Sequence, residues 1–278
     1  MDFIKNRFYF YVLSFLMVMF SCLSFYIFNP SFGIDLRGGQ ILEVKTKADV
    51  YEIVKKMPVK VLIYPQEEGF LLKASQGLDL VWQEILKSDY SSKKIRFESI
   101  SGNLSSELRR RSLWMIFIVL LSISSYVALA FYRLKKEFSL LILAFIVIVT
   151  LFHDVLVTTG FYILISKFLN YDLDIKFITA LLIIVGFSVH DTIVVFDRLR
   201  ENILKSGKKD KEVFNLSISQ TIRRSIFTSL TSVICILPLS FLIFDLRAFL
   251  VSIQIGIIIG TYSSIFLASP LLFDLKDK

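Results

Sequence analysis

Two acidic dipeptides stand where apolar neighbours should exclude them: His153-Asp154 within LFHDVLVT and His190-Asp191 within SVHDTIVVF. A carboxylate in hydrocarbon costs about 2.5–3.5 kcal/mol even on a lenient insertion scale, so it needs a partner, a water-filled pocket or a proton. If Ile175 to Asp197 spans a membrane, Asp191 lies about five residues past the middle, roughly 7–8 Å at 1.5 Å per residue. That is still inside an apolar layer about 30 Å thick. The chemistry expected of Asp191 is uptake and release of protons. Arg224, at the start of a later span, is its candidate basic partner, because a guanidinium on a long stem can snorkel inward. A fixed structural ion pair, or an arginine resting on lipid headgroups, is the plainer alternative.

Arg224 also heads a line through Thr228, Thr231, Ser232 and Cys235, at offsets of 4, 7, 8 and 11. This line is expected to face the bundle interior, since lipid offers hydroxyls nothing to bond. Asp154 has Thr150 and Thr158 four residues to either side, on one helical face. Near the C-terminus Gly256, Gly260, Ser264 and Ala268 recur every fourth residue, a seam that lets helices approach closely. Gln254 and Thr261, seven apart, add a second polar line. Gly33, Gly38 and Gly39 in GIDLRGGQ are read as a hinge, because glycine permits positive φ. No Gly-Lys-Ser/Thr follows them and a strand comes next instead of a helix, so a phosphate loop is not expected.

An enzyme is not expected. Adjacent His and Asp point about 100° apart on a helix, so each dipeptide would give a metal one ligand, unlike an HExxH pair. An aspartyl dyad would need Asp154 and Asp191 to meet and share a proton. Cys22 and Cys235 both fall in apolar runs without CxxC spacing and read as small apolar residues, not a disulfide. No cofactor or metal is called for; the coupling ion would be the proton.

The elements that must hold these residues are membrane spans. The 278 residues are 55% hydrophobic with 27 Phe, above the ~45–50% of an average globular chain. Residues 1–28 give a short basic N-terminus and a first span ending at Asn29-Pro30. Five further apolar runs follow within 109–278, at about 113–132, 138–165, 175–197, 226–244 and 249–273. Residues 29–108 are mixed and charged, and read in order as strand 39–46, helix 48–57, strand 60–65, strand 69–75, helix 79–88 and strand 93–101. This βαββαβ order is that of a small ferredoxin-like α+β domain, lying between helices 1 and 2. With the N-terminus inside, cytoplasmic ends and loops hold 15 Lys/Arg against three in the short outer loops. The asymmetry predicts a multi-pass protein with both termini cytoplasmic, the 29–108 domain outside and a basic loop from Arg198 to Ser225. The run Arg109-Arg110-Arg111 disagrees, but the bias counts least beside a long translocated domain. Much of the net charge of +8 is accounted for by this rule, and no aromatic-interleaved basic patch points to nucleic acid.

The segments SVHDTIVVFDRLREN (188–202), LFHDVLVT (151–158), FNLSISQTIRRSIFTS (214–229) and GTYSSIFLAS (260–269) resemble, in order and spacing, the SecF family of protein-export membrane subunits. The resemblance covers essentially the whole chain. It implies a machine of the RND superfamily in the bacterial inner (plasma) membrane, using proton flow to help pull exported proteins outward. The implied partners are a SecD-like subunit, the SecYEG channel, unfolded exported polypeptides and membrane lipid. It makes Asp191 the proton-responsive carboxylate, Arg224 the basic residue beside it and Asp154 the acidic residue of the third span, with lesser roles for His190 and His153. A small-molecule or lipid exporter of the same superfamily and a non-conducting translocon scaffold are the rival readings.

Overall fold

A computed structural model of the chain describes residues 2–66, 69–132, 138–169, 171–243 and 246–276. The RLKKE connection, residues 67–68 of the expected turn and residues 244–245 of the last link lie outside the described residues. The chain divides into two compact units, one of Met1–Pro30, Trp114–Asp172 and Lys176–Lys278, the other of Ser31–Leu113 with Leu173–Ile175.

The first unit is helical. It contains α1 (Arg7–Phe28), most of α5 (Gly102–Ala130), α6 (Leu140–Leu169), α7 (Ile175–Ser206), α8 (Lys211–Leu242), α9 (Arg247–Ser263), a π-helical turn (Ser264–Ala268) and α10 (Ser269–Leu275). Six helical stretches are long and apolar enough to cross a membrane, the last running through α9, the π turn and α10. α6, α7 and the last stretch are the most buried of the six, while α1, α5 and α8 turn most of their surface outward. The core joins Leu143, Ile146 and Leu151 of α6 with Val185, Val195 and Phe196 of α7, and with Phe214, Ile265 and Leu272. Where α1 crosses α6, a Cβ added at Gly160 would lie 2.3 Å from Ser21 Cβ. Only a glycine lets these two backbones come so near.

One expectation fails here. The stretch Arg198 to Ser225 is not a loop: α7 runs on to Ser206 and α8 begins at Lys211. Hydropathy locates where a helix leaves hydrocarbon, which is not where its hydrogen bonding stops. Ion pairs between residues three or four apart brace the polar extension, Arg200–Asp197 at 2.8 Å, Lys205–Glu201 at 2.6 Å and Arg198–Glu201, each worth about 0.2–0.5 kcal/mol. Gly207, at φ +66°, ends α7, with its N–H donating to Ile203 O at 2.8 Å. The Asp210 side chain then accepts from Val213 N at 3.1 Å and starts α8. Similarly, α5 begins at Gly102 and carries Arg109, Arg110 and Arg111, with Arg111 paired to Glu107.

The start of the chain is part of this fold. Phe3 and Ile4 are buried in the helical core. Ile4 N donates to Asn215 Oδ1 at 3.0 Å, Asn215 Nδ2 donates to Asp2 Oδ1 at 2.7 Å, and Lys211 forms an ion pair with Asp2. The Lys211 ammonium bonded to its carboxylate, helped by the backbone N–H of Lys5, lowers the Asp2 pKa to about 2.

The second unit opens with a short helix, α2 (Ile34–Arg37), and continues as β1 (Gly39–Lys45), α3 (Val50–Lys55), β2 (Val61–Gln66), β3 (Gly69–Ala74), α4 (Leu78–Ser88) and β4 (Lys93–Ile100). Its four strands form one sheet in the order β2-β3-β1-β4, each neighbouring pair antiparallel. Alternation along β1 buries Leu42 and Val44, which pack with Leu72 against Val50 and Ile53 of α3 and Val81 and Ile85 of α4. Asp49 caps α3 by accepting from Tyr51 N and Glu52 N, and Gln40 Oε1 accepts from Leu78 N at 2.8 Å at the head of α4. Asp89, bonded by the hydroxyl and N–H of Ser91 and by Lys47 N, is held well below the usual carboxylate range.

Two outcomes follow. Gly160→Ala is expected to lose roughly 1–3 kcal/mol of unfolding stability in detergent, while Gly186→Ala, where an added Cβ meets nothing within 4 Å, should change little. Asp2 titrates near 2 when folded against an ordinary 3.8. Its stabilising contribution is therefore complete above pH 3.8 and lost as pH falls toward 2. The melting-temperature gap between wild type and Asp2→Asn should close over that window.

Candidate functional site

Asp154 sits at the centre of the helical unit with no exposed surface. Its Oδ2 accepts from Ser188 Oγ of α7 at 2.5 Å and from Ser263 Oγ of α9 at 2.7 Å. Its Oδ1 lies 3.0 Å from Nδ1 of His153, itself buried. Thr150 and Thr158 are buried on the same stretch of α6, as their spacing predicts. Three helices thus meet on one carboxylate. Below it Ser264 Oγ donates to Ser188 O at 3.0 Å and lies 2.9 Å from Thr192 Oγ1, so the π turn of the last span is tied to α7.

Asp191 is one turn further along α7, also buried, and its Oδ2 accepts from Thr261 Oγ1 of α9 at 3.2 Å. Thr261 in turn shares a hydrogen bond with Ser229 of α8. The ion pair expected with Arg224 is not made among the described residues. Arg224 points outward from α8 and lines a groove of about 450 Å³ with Asp197, Arg198, Glu201, Gln220 and Thr221. Asp197 is six residues beyond Asp191, about 9 Å along the helix. His190 is exposed, about 100° around α7 from the buried Asp191.

The polar line of Arg224, Thr228, Thr231, Ser232 and Cys235 is also corrected. Arg224, Thr228, Thr231 and Cys235 are exposed and Ser232 is partly so; the buried face of α8 carries Ser217, Thr221, Ser225 and Ser229. Its hydroxyls bond their own helix: Thr228 Oγ1 donates to Arg224 O at 2.9 Å, Thr231 Oγ1 to Phe227 O at 2.7 Å and Ser232 Oγ to Thr228 O at 2.9 Å. A hydroxyl satisfied by a carbonyl four residues back needs no neighbouring helix. The other cysteine, Cys22, is free and exposed as well.

The glycine seam is where the carboxylates are framed. A Cβ at Gly256 would meet Ile184 Cδ1 at 2.3 Å and one at Gly260 would meet Ser188 Cβ at 2.8 Å. Gly256, Gly260 and Ser264 meet Ile184, Ser188 and Thr192 in the same order, so α7 and α9 run parallel. Ala268 is buried in the apolar cluster. In the second unit Gly38 (φ +83°) and Gly39 (φ +138°) adopt the left-handed backbone expected of glycine. Gly33 does not; its φ is −63°, its N–H donates to Leu173 O at 2.8 Å, and an added Cβ would meet Asp174 Cβ at 2.9 Å. The sequence reading missed Ser188 and Ser263 and did not connect Thr261 to Asp191. Ser188 lies three residues before Asp191, the one local signal that could have placed it on the same face.

Compared with known proteins, residues 81–278 match the family model of the C-terminal part of the protein export membrane proteins SecD/SecF. The chain is similar to a protein translocase subunit SecF from Thermobaculum terrenum, 33% identical over all of this chain and 94% of that one. The SecF of Sebaldella termitidis is 32% identical over 98% and 91%. Among solved structures it superposes on SecDF, a translocon-associated membrane protein from Thermus thermophilus, with a TM-score of 0.82 and 28% identity. A super-membrane-facing form of SecDF gives 0.70 at the same identity. The chain is covered completely in both, and spans 39% of the SecDF chain.

Removing the central acceptor should be costly. Asp154→Ala leaves the Ser188 hydroxyl without its bonded acceptor and is expected to lower unfolding stability by about 1–3 kcal/mol. Cys235→Ala, on the outward face, should stay within about 0.5 kcal/mol; denaturant titration of the purified chain measures both.

Proposed function

Because this chain belongs to the SecD/SecF family of protein export membrane proteins, we propose that it acts as a SecF-like subunit coupling proton flow to late translocation and release of secreted proteins. The observation that carries this reading is Asp191, a carboxylate buried within a membrane-spanning helix whose Oδ2 accepts from the Thr261 hydroxyl of the last span. That hydroxyl satisfies a protonated or an ionised carboxyl equally well, because it can donate or accept. The role is transport, not catalysis.

In this reading the six spans lie in the inner membrane with both termini cytoplasmic, which the distribution of Lys and Arg supports. The second unit is an extracytoplasmic ferredoxin-like domain between the first two spans, supported by its β-α-β-β-α-β order and its β4-β1-β3-β2 antiparallel sheet. Protons leave Asp191 toward the groove holding Asp197 and Arg224, whose guanidinium favours the ionised carboxylate as it moves inward. Asp154 binds α6, α7 and α9 beside this route. Each elementary charge crossing the field is worth about 2.3 kcal/mol per 100 mV, comparable with the cost of burying a carboxylate. The drive is therefore large enough to change which helices Asp191 bonds. Gly38 and Gly39 supply the turning point for the outer domain.

The relatives are translocase subunits, and the SecDF match leaves most of that longer chain uncovered. A SecD-like subunit is accordingly the proposed partner, with the SecYEG channel and unfolded exported polypeptides as the assembly and its client. The outward apolar surfaces of α1, α5 and α8 are where lipid and such a subunit would sit.

Export into inverted membrane vesicles, with and without a proton gradient, tests the proposal. Asp191→Asn is expected to remove the gradient-dependent part of export and Arg224→Ala to reduce it at least tenfold, with gradient-independent export unchanged. A gradient response that survives Asp191→Asn would make the subunit a scaffold.

A further inference from the structure

We propose that the head of α5 is a binding site for an anionic phospholipid, with Arg109 and Arg110 holding the phosphate and an acyl chain lying along the helix face below them. The inference needs α5 to be a membrane span and does not rest on the proton-coupled reading above. It starts from Arg109, Arg110 and Arg111, three consecutive cations that the distribution of charge among the loops leaves without a role.

The three arginines are not equivalent. Arg111 is ion-paired with Glu107, one turn back on the same helix, so those two charges cancel. Arg109 and Arg110 are exposed and have no ion-pair partner among the described residues. Together with Ser106, Glu107 and Leu113 they line a shallow groove of about 580 Å³. The groove therefore holds two uncancelled guanidiniums on neighbouring residues, which repel each other until an anion lies between them. A guanidinium fork matches the oxygens of a phosphate and can bond two of them at once.

Depth and the surface below say which phosphate this is. From Leu113 to Ala130 α5 carries no charged residue, a length of about 27 Å at 1.5 Å per residue. That is close to the thickness of a hydrocarbon layer, about 30 Å. The arginines stand within one turn of its edge, at the level of lipid headgroups. Trp114 follows them, 59% exposed and edge-on to Phe117 with ring centres 5.9 Å apart, and tryptophan is favoured at that boundary.

Counting from Arg110, Leu113, Trp114, Phe117 and Leu121 fall at offsets of 3, 4, 7 and 11, which is one helical face. All four are exposed, and α5 is the least buried of the six spans. A phospholipid fits both parts, its phosphate on the arginines and a chain over Trp114, Phe117 and Leu121. A soluble anion would use only the first part. A zwitterionic headgroup brings an ammonium of its own, which the two guanidiniums repel.

Trp114 is one of two tryptophans and lies within the proposed site, so its fluorescence reports occupancy. The full-length chain is placed in liposomes of phosphatidylcholine and phosphatidylglycerol, with bromine on the acyl chains of one lipid or the other as quencher. Trp114→Phe supplies the signal of Trp82 for subtraction. Brominated phosphatidylglycerol is expected to quench Trp114 with a roughly tenfold preference over brominated phosphatidylcholine. The double substitution Arg109→Gln and Arg110→Gln should abolish that preference. Both side chains are exposed, and quenching by brominated phosphatidylcholine, which needs only that α5 lies in the bilayer, shows that the variant is still inserted. Inorganic phosphate added at constant ionic strength should leave the preference unchanged; its loss would make this a soluble-anion site and overturn the proposal. Equal quenching by the two lipids in wild type, the outcome if this face takes an acidic protein surface instead, overturns it as well. So does a preference that survives the double substitution.

Discussion

Hydrocarbon offers a carboxylate no hydrogen bond, so each acid placed in a membrane-spanning helix has to be met by groups from other helices. The helical unit is built around that constraint. Asp154 collects donors from α7 and α9 and sits against His153 on its own helix, and Asp191 takes its hydroxyl from α9. These are short side chains on separate helices, and a serine or threonine hydroxyl reaches only a few ångströms. Glycines make up the distance: Gly256 and Gly260 bring α9 onto Ile184 and Ser188 of α7, where any Cβ would collide. The small-residue seam and the acids are therefore one device, in which the first sets the spacing that the second requires.

The π turn at Ser264–Ala268 fits the same logic. Widening the helix by one residue per turn adjusts which side chains face inward, and such turns recur where a helix must serve two demands at once. Here Ser264 bonds the Ser188 carbonyl and touches Thr192, while Ala268 and Leu272 continue into the apolar core. Hydroxyl bonds of this kind contribute about 0.5–1.5 kcal/mol each, of the same order as moving a charge through part of a membrane potential.

The outward polar line on α8 carries a lesson about spacing arguments. Arg224, Thr228, Thr231 and Ser232 have helical periodicity, and the inference that lipid would reject them followed from counting their hydroxyls as unsatisfied. Each of the three hydroxyls instead bonds a carbonyl of its own helix four residues back. Ser225 and Ser229, one residue along, face the bundle. Periodicity gives a face; it does not say which way the face points when the polar groups on it can satisfy themselves.

The linear chain was enough to establish six apolar spans, the β-α-β-β-α-β order between residues 39 and 100, the glycine seam and the burial of Asp154 and Asp191. These depend on local quantities, namely the length of apolar runs, side-chain alternation and the cost of charge in hydrocarbon. The tertiary structure alone decided that Ser188 and Ser263 share one oxygen of Asp154, that Thr261 rather than Arg224 bonds Asp191, and that the polar stretch after Arg198 continues as helix. Those outcomes turn on how far each helix is rotated and how closely it approaches its neighbour. Rotation and distance come from packing summed over many residues, and no single stretch of sequence carries that sum.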